Sequence, residues 1–297
     1  GCDVISEKPM TIDEKKAQAI LDAQKRTGKK LRVTFNYRYA PSNTKVRELL
    51  MNGVIGDVFS VHFEWLLNTS HGADYYRRWH RNKHNSGGLL VHKSTHHFDL
   101  VNFWLGARPE TVFAMGELNF YGRLNAEKLY LDAEADSGYI RDRSVFGDDI
   151  SIEDTMGVIV KYNTNAILTY SLNTYMPWEG YVVNFNGSKG RLEYRVKEQV
   201  YINGGGDRNE EGAQQMNEIV VYPMFGESYI VEQDKGEGSH GGGDAVLLED
   251  IFGNPKPDPF KRAASHIDGA YSILTGIAAN KSIASGLPVK VKDLISL

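Results

Sequence analysis

Asp3-Val4-Ile5-Ser6-Glu7-Lys8-Pro9 opens the chain as a short apolar strand running into a proline turn. Pro9 removes a backbone donor and stiffens that turn. Thr11 then serves as an N-cap, and Glu14 three residues on completes a capping box. Ile12, Ala17, Ile20 and Leu21 give a one-sided apolar stripe, and Gly28 is a natural residue to end the helix. Leu31 to Tyr39 reads as a second strand. Residues 3–39 are therefore expected to form a strand–helix–strand unit, the arrangement that yields a parallel pair. In doubly wound sheets ligands gather at the carboxyl ends of the strands, and Lys8 stands at one of them.

Beyond Pro41, residues 42–52 read as a helix and Val58 to Leu66 as a strand. Residues 67–88 are polar, aromatic and basic without a period, which reads as a long loop. Leu89 to Leu105 reads as one buried helix closed by Gly106. Strands are expected at 110–117, 155–162, 165–174, 180–186, 189–195, 218–223 and 227–232, divided by turn signals such as Asn163-Thr164-Asn165, Gly187-Ser188 and Gly204-Gly205-Gly206. Residues 120–150 are charged and irregular and read as an insertion. Two helices, 244–252 and about 262–281, finish the chain. Successive strands without intervening helices imply an α+β fold with a large, mostly antiparallel open sheet and helices on one face. We divide the chain at residue 40, into 1–40 and 41–297. The strands between 155 and 232 carry broadly apolar faces, so a homodimer or homotetramer through the open sheet is expected.

A chain of 297 residues with 41% hydrophobic and 24% charged residues can bury a large core. Its net charge of −4, without a long basic run, argues against nucleic acid or anionic membrane as the main partner. No apolar run approaches the length of a membrane span. The single cysteine, Cys2, rules out an intrachain disulfide. A cytoplasmic setting fits, and a periplasmic one would look the same.

Five of the nine histidines, at 80, 84, 92, 96 and 97, fall within eighteen residues. His92 and His96 are four apart, which places them on one helix face, and histidine moves protons near neutral pH with little tuning. The same spacing suits a metal, although the Glu of a His-Glu-x-x-His motif is absent. Tyr75-Tyr76-Arg77-Arg78-Trp79-His80 pairs fixed guanidinium donors with a stacking face, a combination suited to a polyol or simply to a solvated loop. His240 and Asp244, around Gly241-Gly242-Gly243, could hold hydroxyl groups or cap the following helix.

Four stretches in order carry a resemblance to a known family: Glu7-Lys8-Pro9; Asn36-Tyr37-Arg38-Tyr39-Ala40-Pro41; Ser86-Gly87-Gly88 through His96-His97-Phe98-Asp99; and His240 to Asp244 with Asp268-Gly269-Ala270-Tyr271 and Gly286. The chain resembles the glucose-fructose oxidoreductase / inositol dehydrogenase / MocA (Gfo/Idh/MocA) oxidoreductases over residues 3–297 except 120–150. The resemblance implies a dehydrogenase of sugars or polyols using NAD or NADP, with residues 1–40 the tail of a Rossmann-type dinucleotide domain. It implies Lys8 and His96 as catalytic groups, with His92 beside them. It places Glu7, Lys8, Pro9, Asn36 and Arg38 at the cofactor, and Tyr76, Arg78, Trp79, Lys93, His97, His240 and Asp244 at the substrate. The position where the family usually has an aspartate is His92. A carboxylate there would raise the basicity of His96, whereas a charged His92 or Lys93 would lower it.

Neither Gly204-Gly205-Gly206-Asp207 nor Gly241-Gly242-Gly243-Asp244 sits in a strand–turn–helix within a parallel unit, so neither reads as the phosphate-binding Gly-x-Gly-x-x-Gly turn. The expectation is that this chain is a fragment that does not itself bind NAD(P) appreciably and is inactive alone. Two rivals share the frame: a non-catalytic sugar-binding or scaffolding subunit, and a cofactor- or metal-dependent glycosidase or lyase.

Overall fold

A computed structural model describes residues 1–122, 143–198, 214–234 and 236–296; most of the expected 120–150 insertion and the Gly204–Asp207 turn lie outside them. The chain begins with β1 (Val4–Ser6), α1 (Glu14–Thr27) and β2 (Leu31–Val33). β1 and β2 pair in parallel, Val4 opposite Leu31 and Ser6 opposite Val33. The third strand of this small sheet, β11 (Ala264–Ser265), comes from the far end of the chain and runs antiparallel to β2. The small sheet thus draws on residues from both sides of the boundary at 40.

Two local readings near the start are corrected. Asp13, not Thr11, caps α1, its carboxylate accepting the Lys16 amide at 2.8 Å. Strand β2 also stops at Val33, and Asn36–Tyr39 winds into a 3₁₀ turn instead of continuing to Tyr39. Polar residues of the next helix, α2 (Pro41–Met51), cause this. Asn43 donates to the Tyr37 carbonyl and Thr44 to that of Arg38, groups a strand would have needed for its ladder. Gly28 ends α1 in the left-handed region at φ 65°, as its place in the sequence implied.

The large sheet follows. Its strands are β3 (Val58–Asn68), β4 (Pro109–Glu117), β5 (Thr155–Tyr162), β6 (Ile167–Met176), β7 (Glu179–Gly187), β8 (Gly190–Glu198), β9 (Gln214–Pro223), β10 (Tyr229–Ile230) and β12 (Val289–Lys290). They lie in the order β10-β9-β8-β7-β3-β6-β5-β4-β12. Every pairing is antiparallel except β3 with β6. Alternation along the strands sends Val61, Phe63, Trp65, Val158, Val160, Leu168, Tyr170, Tyr181 and Val183 to one buried face.

That face is covered by α3 (Thr69–Arg77), α6 (Ser94–Leu105) and α8 (His266–Ser285), with α5 (Leu89–His92) packed on α6 and α8, α4 (Lys83–Ser86) on α5, and α7 (Gly243–Phe252) on the 3₁₀ turn Asn36–Tyr39. Trp104 of α6 packs on Phe63 and Phe185, and Phe98 packs on Tyr170. The architecture is the expected α+β sheet with helices on one face. The other face is mixed rather than broadly apolar: Ile159, Ile167 and Val182 share it with His62, Glu64, Thr169, Asn184, Arg195 and Glu218.

Two further expectations change. The segment 67–88 is largely helical: Asn68 caps α3 by accepting the His71 amide. All residues of α3 from His71 to Arg77 are buried, its polar side His71, Asp74 and Arg77 included, so the segment reads as polar and loop-like although it packs in the core. The expected helix 89–105 is broken at Lys93 into α5 and α6. Among the described residues, no helix is long and apolar enough to cross a membrane.

Candidate active site

Strand β1 ends in Ser6, and Glu7-Lys8-Pro9 turns there, with a cis bond between Lys8 and Pro9. Thr34, just past the parallel strand β2, holds this turn: its hydroxyl donates to Glu7 Oε1 at 2.7 Å. The carboxyl ends of both parallel strands thus meet at Lys8. Its ammonium faces the histidines of α5, α6 and the segment after α3, where it disfavours protonation of His80, His92, His96 and His97.

His96 is fully buried, and neither ring nitrogen has a hydrogen-bond partner among the described residues. Burial, with Lys8 next and then His240 and Lys93, holds its proton affinity well below that of free histidine. Its ring packs edge-on against Tyr37 at 5.0 Å, and the Tyr37 hydroxyl points away to Glu198. His240 also packs edge-on against Tyr37, at 5.2 Å, and lies 6.2 Å from His96, ring centre to ring centre. His240 Nδ1 bonds Asp244 at 2.8 Å, and Asn36 donates to the other oxygen of Asp244 at 2.6 Å. Burial is the largest single influence and raises the Asp244 carboxyl, but the His240 bond, the His240 charge and the Asn36 bond together outweigh it and leave the group below the usual range.

His92 stands one turn before His96 and packs 4.4 Å from His80, which is stacked at 4.0 Å on the exposed ring of Trp79. Burial and then nearby cations drive His92 down to about 2 and His80 to about 4, so both are neutral at physiological pH. Arg78 contributes to both shifts and so borders the same wall. No group of three or more His, Cys, Asp or Glu suited to a metal occurs among the described residues, so His92 and His96 remain a bare pair.

The structure therefore brings together Glu7, Lys8, Pro9, His92, His96, Arg78, Trp79, His240 and Asp244. Other assigned residues turn elsewhere. The guanidinium of Arg38 is taken up by Asp99 at 2.7 and 2.5 Å and by Asp268 at 3.2 Å, behind Phe35, so it does not face the cleft. Both ends of the Asn36 amide are engaged inside the protein, by Asp244 and by the Tyr37 amide. Tyr76 is a core residue stacked on Tyr121 at 4.1 Å, its hydroxyl shared between Thr174 and the Glu153 carbonyl. His97 bonds Tyr170 through Nδ1 and stacks on Trp65 at 3.8 Å, which turns it toward the sheet. Lys93 lies over that same Trp65 ring, at 5.4 Å. Sequence reasoning missed Tyr37 and His80 as walls of the cleft. Both lay inside stretches already singled out, and the histidine density around 80–97 was the available signal for the second.

A sequence profile described as "Oxidoreductase family, C-terminal alpha/beta domain" matches residues 47–291. The chain belongs to the Gfo/Idh/MocA oxidoreductase family. Among its relatives, YteT of Bacillus subtilis, named as an oxidoreductase, is 37% identical over 99% of this chain and 77% of that protein. A myo-inositol 2-dehydrogenase of Thermotoga maritima is 23% identical over 98% of this chain and 73% of that protein. Two solved structures share the fold. One is an aldose-aldose oxidoreductase from Caulobacter crescentus complexed with glycerol, with TM-score 0.65 and 16% identity over 97% of this chain and 72% of that one. The other is an oxidoreductase from Agrobacterium radiobacter in complex with NAD+, L-tartaric acid and magnesium, with TM-score 0.63 and 15% identity over 99% of this chain and 74% of that one. Within this Gfo/Idh/MocA chain, residues of three of the motif stretches, Lys8, His92 with His96, and His240 with Asp244, lie around Tyr37 and His96, whereas Gly286 of the fourth ends α8 at its far terminus.

Proposed function

We propose that this oxidoreductase is an NAD(P)-dependent dehydrogenase of sugars or polyols, with Lys8 and His96 as its reacting pair. The observation that carries the reading is His96: a fully buried ring with two nitrogens lacking any hydrogen bond among the described residues, beside a lysine. Burying a polar group without a partner costs about 1–3 kcal/mol, which a phenylalanine at the same place would avoid. A hydroxyl-bearing ligand would remove that cost. Trp79 offers an exposed ring for the apolar face of a sugar, and Arg78 lies beside it. The relatives named for inositol and aldose substrates support the same class.

The turn Glu7-Lys8-Pro9, at the joint carboxyl ends of β1 and β2, would hold the nicotinamide end of the dinucleotide. When bound, the nicotinamide supplies the hydride acceptor. Lys8 donates to the oxygen of the reacting hydroxyl and stabilises negative charge as it develops there. His96, neutral because it is buried beside Lys8, accepts the hydroxyl proton. Trp79 and Arg78 fix the substrate's orientation.

The test, in a form of the protein shown to bind NAD(P), is absorbance at 340 nm with NAD+ or NADP+ and a panel of inositols, aldoses and glycosides, set beside analysis for released free sugar. Reduction of the nicotinamide that is lost in Lys8→Met and His96→Phe supports the reading. Free sugar released without net reduction would replace it with glycoside cleavage, and binding without either reaction with a non-catalytic subunit.

A further inference from the structure

His96 can accept a proton but is badly placed to keep one. It is dry, and Lys8 and Lys93 both oppose a positive charge on it. The position one turn before it, where a carboxylate would help, holds the neutral His92. The cleft does contain a histidine with a carboxylate partner, and it comes from another part of the chain. His240 lies in a 3₁₀ turn, Ser239–Gly242, in the left-handed region at φ 50°, ψ 43°. Neighbouring glycines allow the loop to close in: a Cβ on Gly243 would lie 2.2 Å from the Asn36 carbonyl oxygen, and one on Gly236 would lie 1.8 Å from that of Gly241. This packing sets Asp244, at the start of α7, between His240 Nδ1 and the Asn36 amide.

Bonded in this way, Nδ1 carries the hydrogen toward Asp244, and Nε2 is left as an acceptor with no partner among the described residues. The His240 side chain is part-exposed, whereas His96 is closed off from solvent. Their ring centres are 6.2 Å apart. Two hydrogen bonds of about 2.8 Å through one water or one substrate hydroxyl span such a gap. Tyr37 packs edge-on against both rings, and its hydroxyl is turned to Glu198, so it walls the path without blocking it.

We propose that His240, held by Asp244 and Asn36, is the proton-relay residue of this cleft, taking from His96 the proton that leaves the substrate hydroxyl and passing it to solvent. The inference rests on the dehydrogenase reading above. In the balanced step the carbon's hydrogen would leave with the electron pair of its C–H bond, for which a bound nicotinamide would be the acceptor, and the O–H proton passes to His96. The carbon–oxygen bond becomes a carbonyl. The proton then moves through the bridging water or hydroxyl to His240 Nε2, restoring neutral His96. The charged and titratable groups around the path are Lys8, Lys93 and His97 at His96, Asp244 at His240 and, beyond Tyr37, Glu198.

The experiment compares His240→Ala and Asp244→Asn with the native protein in steady-state oxidation of the best polyol. His240→Ala is expected to lower kcat at least tenfold with KM changed less than threefold, and imidazole added to the medium is expected to restore kcat in proportion to its concentration. Asp244→Asn is expected to lower kcat less. In ¹⁵N spectra recorded without substrate or cofactor, native His240 is expected as the Nδ1-protonated tautomer, and Asp244→Asn is expected to lose that preference. An unchanged kcat in His240→Ala, a loss that imidazole does not rescue in a protein of native thermal stability, or an Nε2-protonated native ring would each overturn the relay. Inactivity toward every substrate in a form of the protein shown to bind NAD(P) would instead defeat the dehydrogenase reading itself, and the relay with it.

Discussion

Arg38 and Asp99 form a two-pronged buried ion pair, Nε to Oδ2 at 2.7 Å and Nη2 to Oδ1 at 2.5 Å, and Asp268 of α8 adds a third charge at 3.2 Å. The pair ties the 3₁₀ turn after β2 to α6, and therefore the Lys8 side of the cleft to the His96 side. Asp268 serves twice, since its other oxygen closes the capping box with Ser265 at the start of α8. Removing one partner leaves a buried charge without its counterpart, which costs about 3–5 kcal/mol. Arg38→Met is therefore expected to lose stability on that scale in urea denaturation, and the double variant Arg38→Met/Asp99→Leu to recover much of it. A single variant as stable as the native protein would show that the pair does not join the two sides.

Gly276 places the helix carrying His92. A Cβ there would lie 2.1 Å from the Leu90 carbonyl oxygen and 2.6 Å from its carbon, so α8 and α5 touch backbone to backbone. In an exposed helix Gly→Ala gains about 1 kcal/mol. Here α5 must move instead, at a cost of about 1–3 kcal/mol from overpacking. Gly276→Ala is expected to lower the melting temperature and to lower turnover more than Leu274→Met, a change of similar size on the same helix. A raised melting temperature would mean that α5 is free to yield.

The architecture was legible because strand alternation and the turn residues between strands survive in the sequence, from Val158–Val160–Tyr162 in β5 to Leu192–Tyr194–Val196 in β8. Lys8, His92 and His96 were legible because their motifs are local. What failed was non-local. The polar residues His71, Asp74 and Arg77 of α3 are buried, which disguised Thr69–Arg77 as a polar loop, and side chains of α2 captured the carbonyls that would have prolonged β2. Arg38 and Tyr76 sit in the expected motifs, yet partners distant in sequence, Asp99 and Thr174, claim their polar ends.

The outward face of the large sheet mixes charge with aliphatic patches. Arg195 is opposite Val182 on one side and Glu218 on the other, and Ile159 is opposite Thr169. Among the described residues nothing covers Gly157 of β5 on this face, where a Cβ would meet nothing within 4 Å. Exposed sheet faces of this width commonly pair with a second copy, with charges setting the register. Light scattering is expected to give at least twice the 33.3 kDa mass of this chain. The variant Ile159→Lys/Val182→Lys is expected to reduce the mass to a single copy while leaving the circular dichroism unchanged. A single-copy mass for the native chain at micromolar concentration would exclude this face as a stable interface.

Four rings make the fold sensitive to acid. Burial first, and neighbouring cations second, lower His80 to about 4 and His92 to about 2, and hold the fully buried His96 and His97 well below the usual value. In the unfolded chain each takes a proton near pH 6.5. Because the folded-state affinity is the depressed one, stability is complete above pH 6.5. It falls as the pH drops below 6.5, until each folded-state ring itself titrates. Each ring adds at most about 1.4 kcal/mol per pH unit to that slope. Above pH 5 most carboxylates have yet to titrate, so the histidines dominate between pH 6 and 5. His97→Phe keeps an aromatic ring against Trp65 and removes one titrating group. Urea denaturation across this range is expected to show a slope shallower by about 1 kcal/mol per pH unit in that variant. An unchanged slope would mean that His97 accepts its proton in the folded protein, and that its burial against Trp65 does not exclude the charge.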